Sequence, residues 1–489
     1  MTDSTPQVRR LETPTALRDH LDRLGVSLPV ADHVEANGPL SRSHAVGPLT
    51  LHNRFAILPM EGWDGTPDGR PTELVHRRWE RFGRSAAALV WGGEAVAVRA
   101  AGRANPHQLC IGPHSTADLA DLRSTLVAAH REATDGLDPI VGLQLTHSGR
   151  WSRPDGSPAP RIAYRHPILD ERVGATDASL LSDTELDDLL NDFAAAAVVA
   201  NEAGFDFVDV KHCHGYLLHE LLTAHDRPGP YGGSFENRTR FLRRAVDAIH
   251  RTAPGLRIAV RLSAYDVVPF VAGDDGIGVP ATNSPYPYAF GGDGTGIGID
   301  LDETHRFCRL LVELGIELLC VTAGSPYWCP HVQRPAFFPP SDGYQPPNDP
   351  LVDVVRMQEV TRSITAAHPE LTVVGSGLTY LQDWFAHASQ ELVRDDWMHC
   401  VGLGRMVLSH PELPARILAG EPGDRRLICR TFSDCTTAPR NGLVSGCWPL
   451  DEAYKSRPDR VELTRAKRAA AQRRPPSARR STANEDDPQ

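Results

Sequence analysis

An alternation that begins near Asn53 most constrains this chain. Eight short apolar runs, at 55–59, 87–91, 140–145, 205–210, 257–262, 318–322, 371–374 and 398–403, are separated by stretches with helical spacing. Runs that stay apolar at every position are buried on both faces, as happens in a parallel sheet covered by helices. Eight such units close into a cylinder, so the expected fold is α/β, a (β/α)8 TIM barrel. The segment Asp183-Thr-Glu-Leu-Asp-Asp-Leu-Leu-Asn-Asp-Phe193 shows the helical half of the repeat, with acids in the first turn and then leucines every three or four positions.

The flanks read differently. Residues 1–47 form an N-terminal helical extension in which Thr13 and Pro14 start a helix, expected to pack outside the barrel. Residues 48–420 hold the barrel, and 421–454 make a cysteine-containing segment packed on it. Residues 455–489 are charged and poor in apolar side chains, which predicts a disordered C-terminal tail. Two Gly/Pro-rich connections, 152–177 and 265–299, follow strand ends and are expected to roof the site.

With 489 residues and 41% hydrophobic content the chain can bury a large core, and its net charge of −11 argues against nucleic acid as a main partner. No apolar run approaches the ~20 residues that span a bilayer, so no membrane association is expected. Nine scattered cysteines behind a polar N-terminus predict reduced thiols and a cytoplasmic location. Homo-oligomerisation is left open.

The fourth apolar run ends in Val208-Asp-Val-Lys-His-Cys-His-Gly-Tyr216, followed by Tyr231-Gly-Gly-Ser-Phe-Glu-Asn-Arg238. Lys211, His214 and Tyr216 thus stand at the carboxyl end of a strand, where barrels keep reactive groups. These two runs at this spacing resemble the Old Yellow Enzyme family of FMN oxidoreductases, and the resemblance extends over roughly 48–418. It implies an FMN-binding barrel that takes hydride from NADH or NADPH, with nicotinamide docking in the substrate's own place. By resemblance, Gln144 and Arg261 meet the flavin pyrimidine, Ser376, Gly377, Gly404 and Arg405 cradle its phosphate, and Pro59, Met60, Glu61 and Ala95 lie against the ring. Such donors suit a flavin because reduction pushes negative charge onto its pyrimidine side.

The family's hydrogen-bonding pair and proton donor map onto Lys211, His214 and Tyr216 as the catalytic set. Lys211 stands where the family ordinarily has a His, and its ammonium suits a carboxylate or enolate oxygen. Glu61 replaces a small polar residue, and the two charges are expected to compensate one another near the ring. Larger relatives of the dienoyl-CoA reductase and trimethylamine dehydrogenase type carry an iron–sulfur cluster on Cys-x2-Cys-x3-Cys-x11-Cys. Here Cys435 and Cys447 keep the last spacing, but Ile428 and Thr431 occupy the first two positions and Cys429 is out of register, so no metal is expected. The reaction implied is reduction of an activated C=C bond in a small molecule, an acid among the candidates, or the reverse desaturation. Amine dehydrogenation or N-demethylation on the same barrel, and a non-catalytic flavin-binding scaffold, are the alternatives.

Overall fold

The apolar runs form strands that are buried along their length apart from Arg257, and the sheet they build has no edge. The computed structural model describes residues 6–473. In it the runs become β1 (Phe55–Ile57), β2 (Leu89–Val90), β3 (Ile140–Thr146), β4 (Phe207–Val210), β5 (Arg257–Ser263), β6 (Leu318–Thr322), β7 (Thr372–Gly375) and β8 (Cys400–Leu403). Each pairs in parallel with the next, and β8 returns to β1 with Val401 opposite Phe55 and Leu403 opposite Ile57. This closed circuit is the (β/α)8 barrel expected from the alternation.

Helices cover the outside for the reasons the sequence suggests. Asp183–Glu202 starts at a capping box, in which Ser182 Oγ accepts from Glu185 N at 3.2 Å and Glu185 accepts from Ser182 N at 2.8 Å. These reciprocal bonds satisfy two otherwise orphaned donors. In the N-terminal extension, helix Pro14–Arg23 is capped by Thr13, buries Leu17 and Leu21, and is tied down by His20 to Asp349 at 2.8 Å. The hairpin of His44–Val46 and Leu49–Leu51 packs Val46 and Leu51 against Ala56, Phe207, Leu318 and Val374, closing the barrel's amino end.

Two features differ from expectation. A ninth parallel segment, Ala95–Ala97, pairs with β3 and sets Ala95 opposite Gln144. The tail predicted to be disordered from 455 instead contains helix Arg460–Arg473. Its sparse apolar residues are enough, because Leu463 packs with Ala438, Trp448 and Tyr454 while Lys467 reaches Asp434 at 3.2 Å. Positions 474–489, with the Arg-rich end, lie outside the described residues, as do 1–5. Among the described residues no helix is long and apolar enough to cross a membrane.

The two long connections are folded rather than open. Residues 152–177 include helix Leu169–Val173, drawn in by the buried Arg150, which pairs with both Asp170 and Glu220. Residues 265–299 hold a hairpin of Phe270–Ala272 and Gly278–Pro280, and their glycine run folds back so that Val268 N meets Gly296 O at 2.7 Å.

Candidate active site

At the carboxyl ends of the barrel strands lies a cavity of about 270 Å³. Its wall includes Pro59, Met60 and Glu61 after β1, Ala95, Gln144 on β3, and Lys211, His214 and Tyr216 after β4. Arg261 on β5, Ser376 and Gly377 after β7, and Gly404 and Arg405 after β8 complete the set foreseen from the sequence. One cavity therefore collects every candidate residue.

The floor is organised by a group that the sequence reading missed. Asp209, on β4, is fully buried, and its carboxylate accepts from Trp91 Nε1 at 2.7 Å, Gln144 Nε2 at 2.6 Å and the Arg261 backbone N–H at 2.8 Å. Burial raises its pKa, while these donors and the Arg261 charge hold it down. Because Asp209 takes the Gln144 amide N–H, the Gln144 carbonyl is left to the cavity, where it can accept a hydrogen bond. Arg261 donates from Nη1 to Pro59 O at 3.3 Å, and its buried Nε has no partner.

The β4 end turns sharply. His214 has φ 66° and Gly215 φ 75°, and a Cβ on Gly215 would sit 2.1 Å from the Trp328 ring, so only glycine fits. His214 N donates to Ser263 Oγ at 3.0 Å and its carbonyl accepts from Ser325 Oγ at 2.8 Å, which fixes the strained turn. The Gln333 amide lies 3.2 Å from His214 Nε2. Burial, then the charges of Arg261 and Lys211, pull His214 well below the usual range, so it is neutral.

Lys211 and Glu61 form no direct ion pair; each meets Tyr216 instead. Among the described residues Lys211 has no carboxylate at ion-pair distance; its ammonium lies 3.7 Å from the centroid of the Tyr216 ring. Glu61 accepts the Tyr216 hydroxyl hydrogen, and the Tyr327 hydroxyl stands 3.0 Å from the Tyr216 hydroxyl oxygen. The two charges meet through Tyr216 because its ring and hydroxyl offer a cation and an anion separate docking places. Burial lowers the Lys211 pKa, partly offset by Glu61, while burial and then the Glu61 charge hold the Tyr216 phenol well above its usual value.

At the opposite end, Ser376 Oγ is spent on Val321 O at 2.7 Å, which leaves its hydroxyl hydrogen unavailable to a ligand. Gly377 has φ 83°, and a Cβ on Gly404 would meet nothing within 4 Å. Arg405 anchors Nη2 on Pro335 O at 3.1 Å and keeps a buried, unpartnered Nη1.

The roof is not the one expected. No residue of 152–177 or 265–299 borders the cavity, because both segments are held elsewhere, Asp170 by Arg150, His166 by Tyr286 and Phe270 N by Trp328 O. Tyr327, Gln333 and Arg334 after β6 cover it instead, together with Cys435, Thr436, Pro439, Arg440, Ser445 and Gly446 from the C-terminal segment. That segment is stitched down by Arg334 to Thr436, Trp63 N to Ser445 Oγ at 2.9 Å and Arg77 to Asp451 at 2.8 Å. The one available signal for this roof was the Tyr327-Trp328 pair at a strand end, whose Tyr327 stacks on Trp151 at 4.3 Å. Cys429, Cys435 and Cys447 border a separate small hollow beside Arg405. Among the described residues no group of three or more His, Cys, Asp or Glu is arranged to hold a metal.

Residues 43–275 match the NADH:flavin oxidoreductase / NADH oxidase family. The NADPH dehydrogenase of Halalkalibacterium halodurans is 31% identical over 232 residues, which cover 46% of this chain and 64% of that protein. The 12-oxophytodienoate reductase 1 of Oryza sativa subsp. japonica is 27% identical, over 46% of this chain and 59% of that one. The chain thus spans 64% and 59% of the length of these relatives. Among solved structures, the old yellow enzyme homologue from Zymomonas mobilis superposes with a TM-score of 0.53 at 21% identity, covering 79% of this chain and 94% of that one. Histamine dehydrogenase from Rhizobium sp. 4-9 gives 0.59 at 20% identity, covering 84% and 52%. Those two likenesses concern the barrel fold.

Proposed function

We propose, from the match of residues 43–275 to the NADH:flavin oxidoreductase / NADH oxidase family, that this chain binds FMN and passes hydride from NADH or NADPH to an activated carbon–carbon double bond, or runs the reverse desaturation. The observation that carries the proposal is the convergence on one cavity of Lys211, His214 and Tyr216 with two buried guanidinium N–H groups, Arg261 Nε and Arg405 Nη1, that lack a partner. Buried unpaired donors are costly unless a ligand meets them, so the cavity is built for an acceptor-rich guest.

The residues present fit FMN. Gln144, held by Asp209, and Arg261 would meet its pyrimidine side; Gly377, Gly404 and Arg405 would hold its phosphate, with Ser376 contributing through its backbone. When bound, FMN supplies reversible two-electron hydride transfer.

The chain's own residues handle the substrate oxygen and the proton. Lys211 and neutral His214 hydrogen-bond the oxygen of the activating carbonyl and stabilise the charge that grows there. Tyr216 gives a proton to the carbon that does not receive hydride, and the phenolate left behind is reprotonated from solvent, directly or by way of the Glu61 carboxyl bonded to it. In the desaturating direction the same chain runs in reverse: the substrate C–H proton goes to the Tyr216 oxygen as the phenolic hydrogen moves to Glu61. Amine oxidation is a second reading, favoured by the Glu61 carboxylate bordering the cavity and opposed by Lys211.

The test is an absorbance spectrum of the purified protein followed by anaerobic titration with NADPH and NADH. A flavin spectrum that bleaches, and recovers on adding an enone, supports the proposal. Bleaching by an amine and by neither nucleotide would turn the assignment to the second reading.

A further inference from the structure

We infer that the cavity contains an anion subsite centred on Arg334, and that the substrate of the proposed reaction carries a carboxylate there. The inference rests on the flavin reading above and names its substrate class.

Charge on the cavity wall is unbalanced. Lys211, Arg261, Arg334, Arg405, Arg440 and Arg78 border it, against one carboxylate, Glu61. Two of these cations already have partners: Arg78 is buried on Asp64 at 2.5 Å and on Glu94, and Arg440 pairs with Asp342 at 2.6 Å. Arg261 and Arg405 fall to the flavin. Lys211 lies on the Tyr216 ring, which leaves Arg334.

Arg334 donates from Nη1 to Thr436 Oγ1, while its Nη2 is shut away from solvent with no acceptor. Among the described residues no carboxylate lies at ion-pair distance from it. Burial, then the charges of Arg440 and Arg405, pull it down to about 9, still charged at neutral pH. A guanidinium kept charged among like charges requires an anion, and its planar fork matches a carboxylate in two hydrogen bonds.

Its position says which anion. The neighbouring Gln333 amide is 3.2 Å from His214 Nε2, and Arg334 is among the charges that hold His214 neutral. Gln333 also keeps a buried Oε1 without a donor. The subsite therefore adjoins the residues that grip the substrate's activating oxygen, whereas Arg405 approaches from the β8 end. A substrate whose activating group is itself a carboxylate would engage both, one oxygen toward Lys211 and His214 and the other toward Arg334.

The experiment uses FMN-loaded wild type, Arg334→Gln and Arg334→Lys, titrated with cinnamate and cinnamaldehyde while flavin absorbance is followed. These probes differ in charge and share a carbon frame. Arg334→Gln is expected to weaken cinnamate roughly 10- to 100-fold, the loss of a charge-assisted hydrogen bond, with cinnamaldehyde unchanged. Arg334→Lys should keep part of the cinnamate affinity, and FMN content and KM for NADPH should hold in both. Equal effects on the two probes would overturn the subsite. Loss of FMN from Arg334→Gln would reassign Arg334 to the flavin phosphate, and a raised KM for NADPH would reassign it to the dinucleotide. Wild type that reduces cinnamaldehyde and ignores cinnamate overturns the subsite alone, whereas failure to take up FMN overturns the flavin reading with it.

Discussion

The Lys211 ammonium sits 3.7 Å from the centroid of the Tyr216 ring, on the residue whose hydroxyl donates to Glu61. A cation over the face and an anion at the tip act on one phenol in opposite senses. The ammonium eases loss of the phenolic proton, and the carboxylate resists it.

Replacing Lys211 with Met removes the cation and keeps most of the side-chain volume. The flavin midpoint is expected to fall by on the order of 30 mV, the equivalent of about 1.4 kcal/mol for a two-electron couple. Spectroelectrochemistry on the loaded protein measures it, and an unchanged midpoint would mean that Lys211 does not feel the flavin.

Tyr216→Phe should leave NADPH-driven bleaching intact while slowing reoxidation by an enone about 100- to 10,000-fold, the usual worth of a positioned proton donor. Stopped-flow measurement of each half-reaction separates the two. A matching loss in both halves would make Tyr216 a packing residue.

Asp209 holds three donors at once, so Asp209→Ala strands the Trp91 indole, the Gln144 amide and the Arg261 N–H. The expected cost is about 2–5 kcal/mol of stability together with weaker FMN binding, because Gln144 is then free to turn. Asp209→Asn, which keeps an acceptor but adds a donor, should fall between. FMN affinity by fluorescence and Tm by calorimetry check both.

Burial holds Asp266 up to about 7 against its ordinary 3.8. Its carboxyl faces Val267 N at 2.7 Å, Trp328 Nε1 at 3.2 Å and Cys329 Sγ at 3.3 Å. Between those two pKa values the folded chain retains a proton that the unfolded chain has released, so this group lowers stability as pH rises through the window. Asp266→Asn removes the slope, and the Tm of the variant relative to wild type should improve from pH 5 to pH 8. An equal difference at both pH values would show that Asp266 does not titrate in this range.

Strand positions were legible because a barrel strand buried on both faces is mostly apolar, with polar exceptions such as Gln144, Asp209 and Arg261 grouped at the site. Residues at strand ends followed with them: Gln144, Arg261 and Tyr216 are placed by the register of β3, β5 and the β4 turn. That Glu61 and Lys211 act on each other by way of Tyr216 was not legible, since charge alone does not show that a phenol stands between them. The roof was misread for a related reason. Gly/Pro content shows that a loop exists, but its landing place depends on contacts such as Arg150 with Asp170 and Glu220, far apart in sequence. Helix Arg460–Arg473 escaped because one buried leucine and one lysine suffice to dock it on a surface that composition cannot reveal.

The barrel closes at Leu403, yet the wall of its cavity runs on to Gly446. The circuit of strands is thus complete while one side of the bowl is still missing, and that side comes from a stretch held by side-chain ties such as Arg334 to Thr436 and Trp63 N to Ser445 Oγ, not by the sheet.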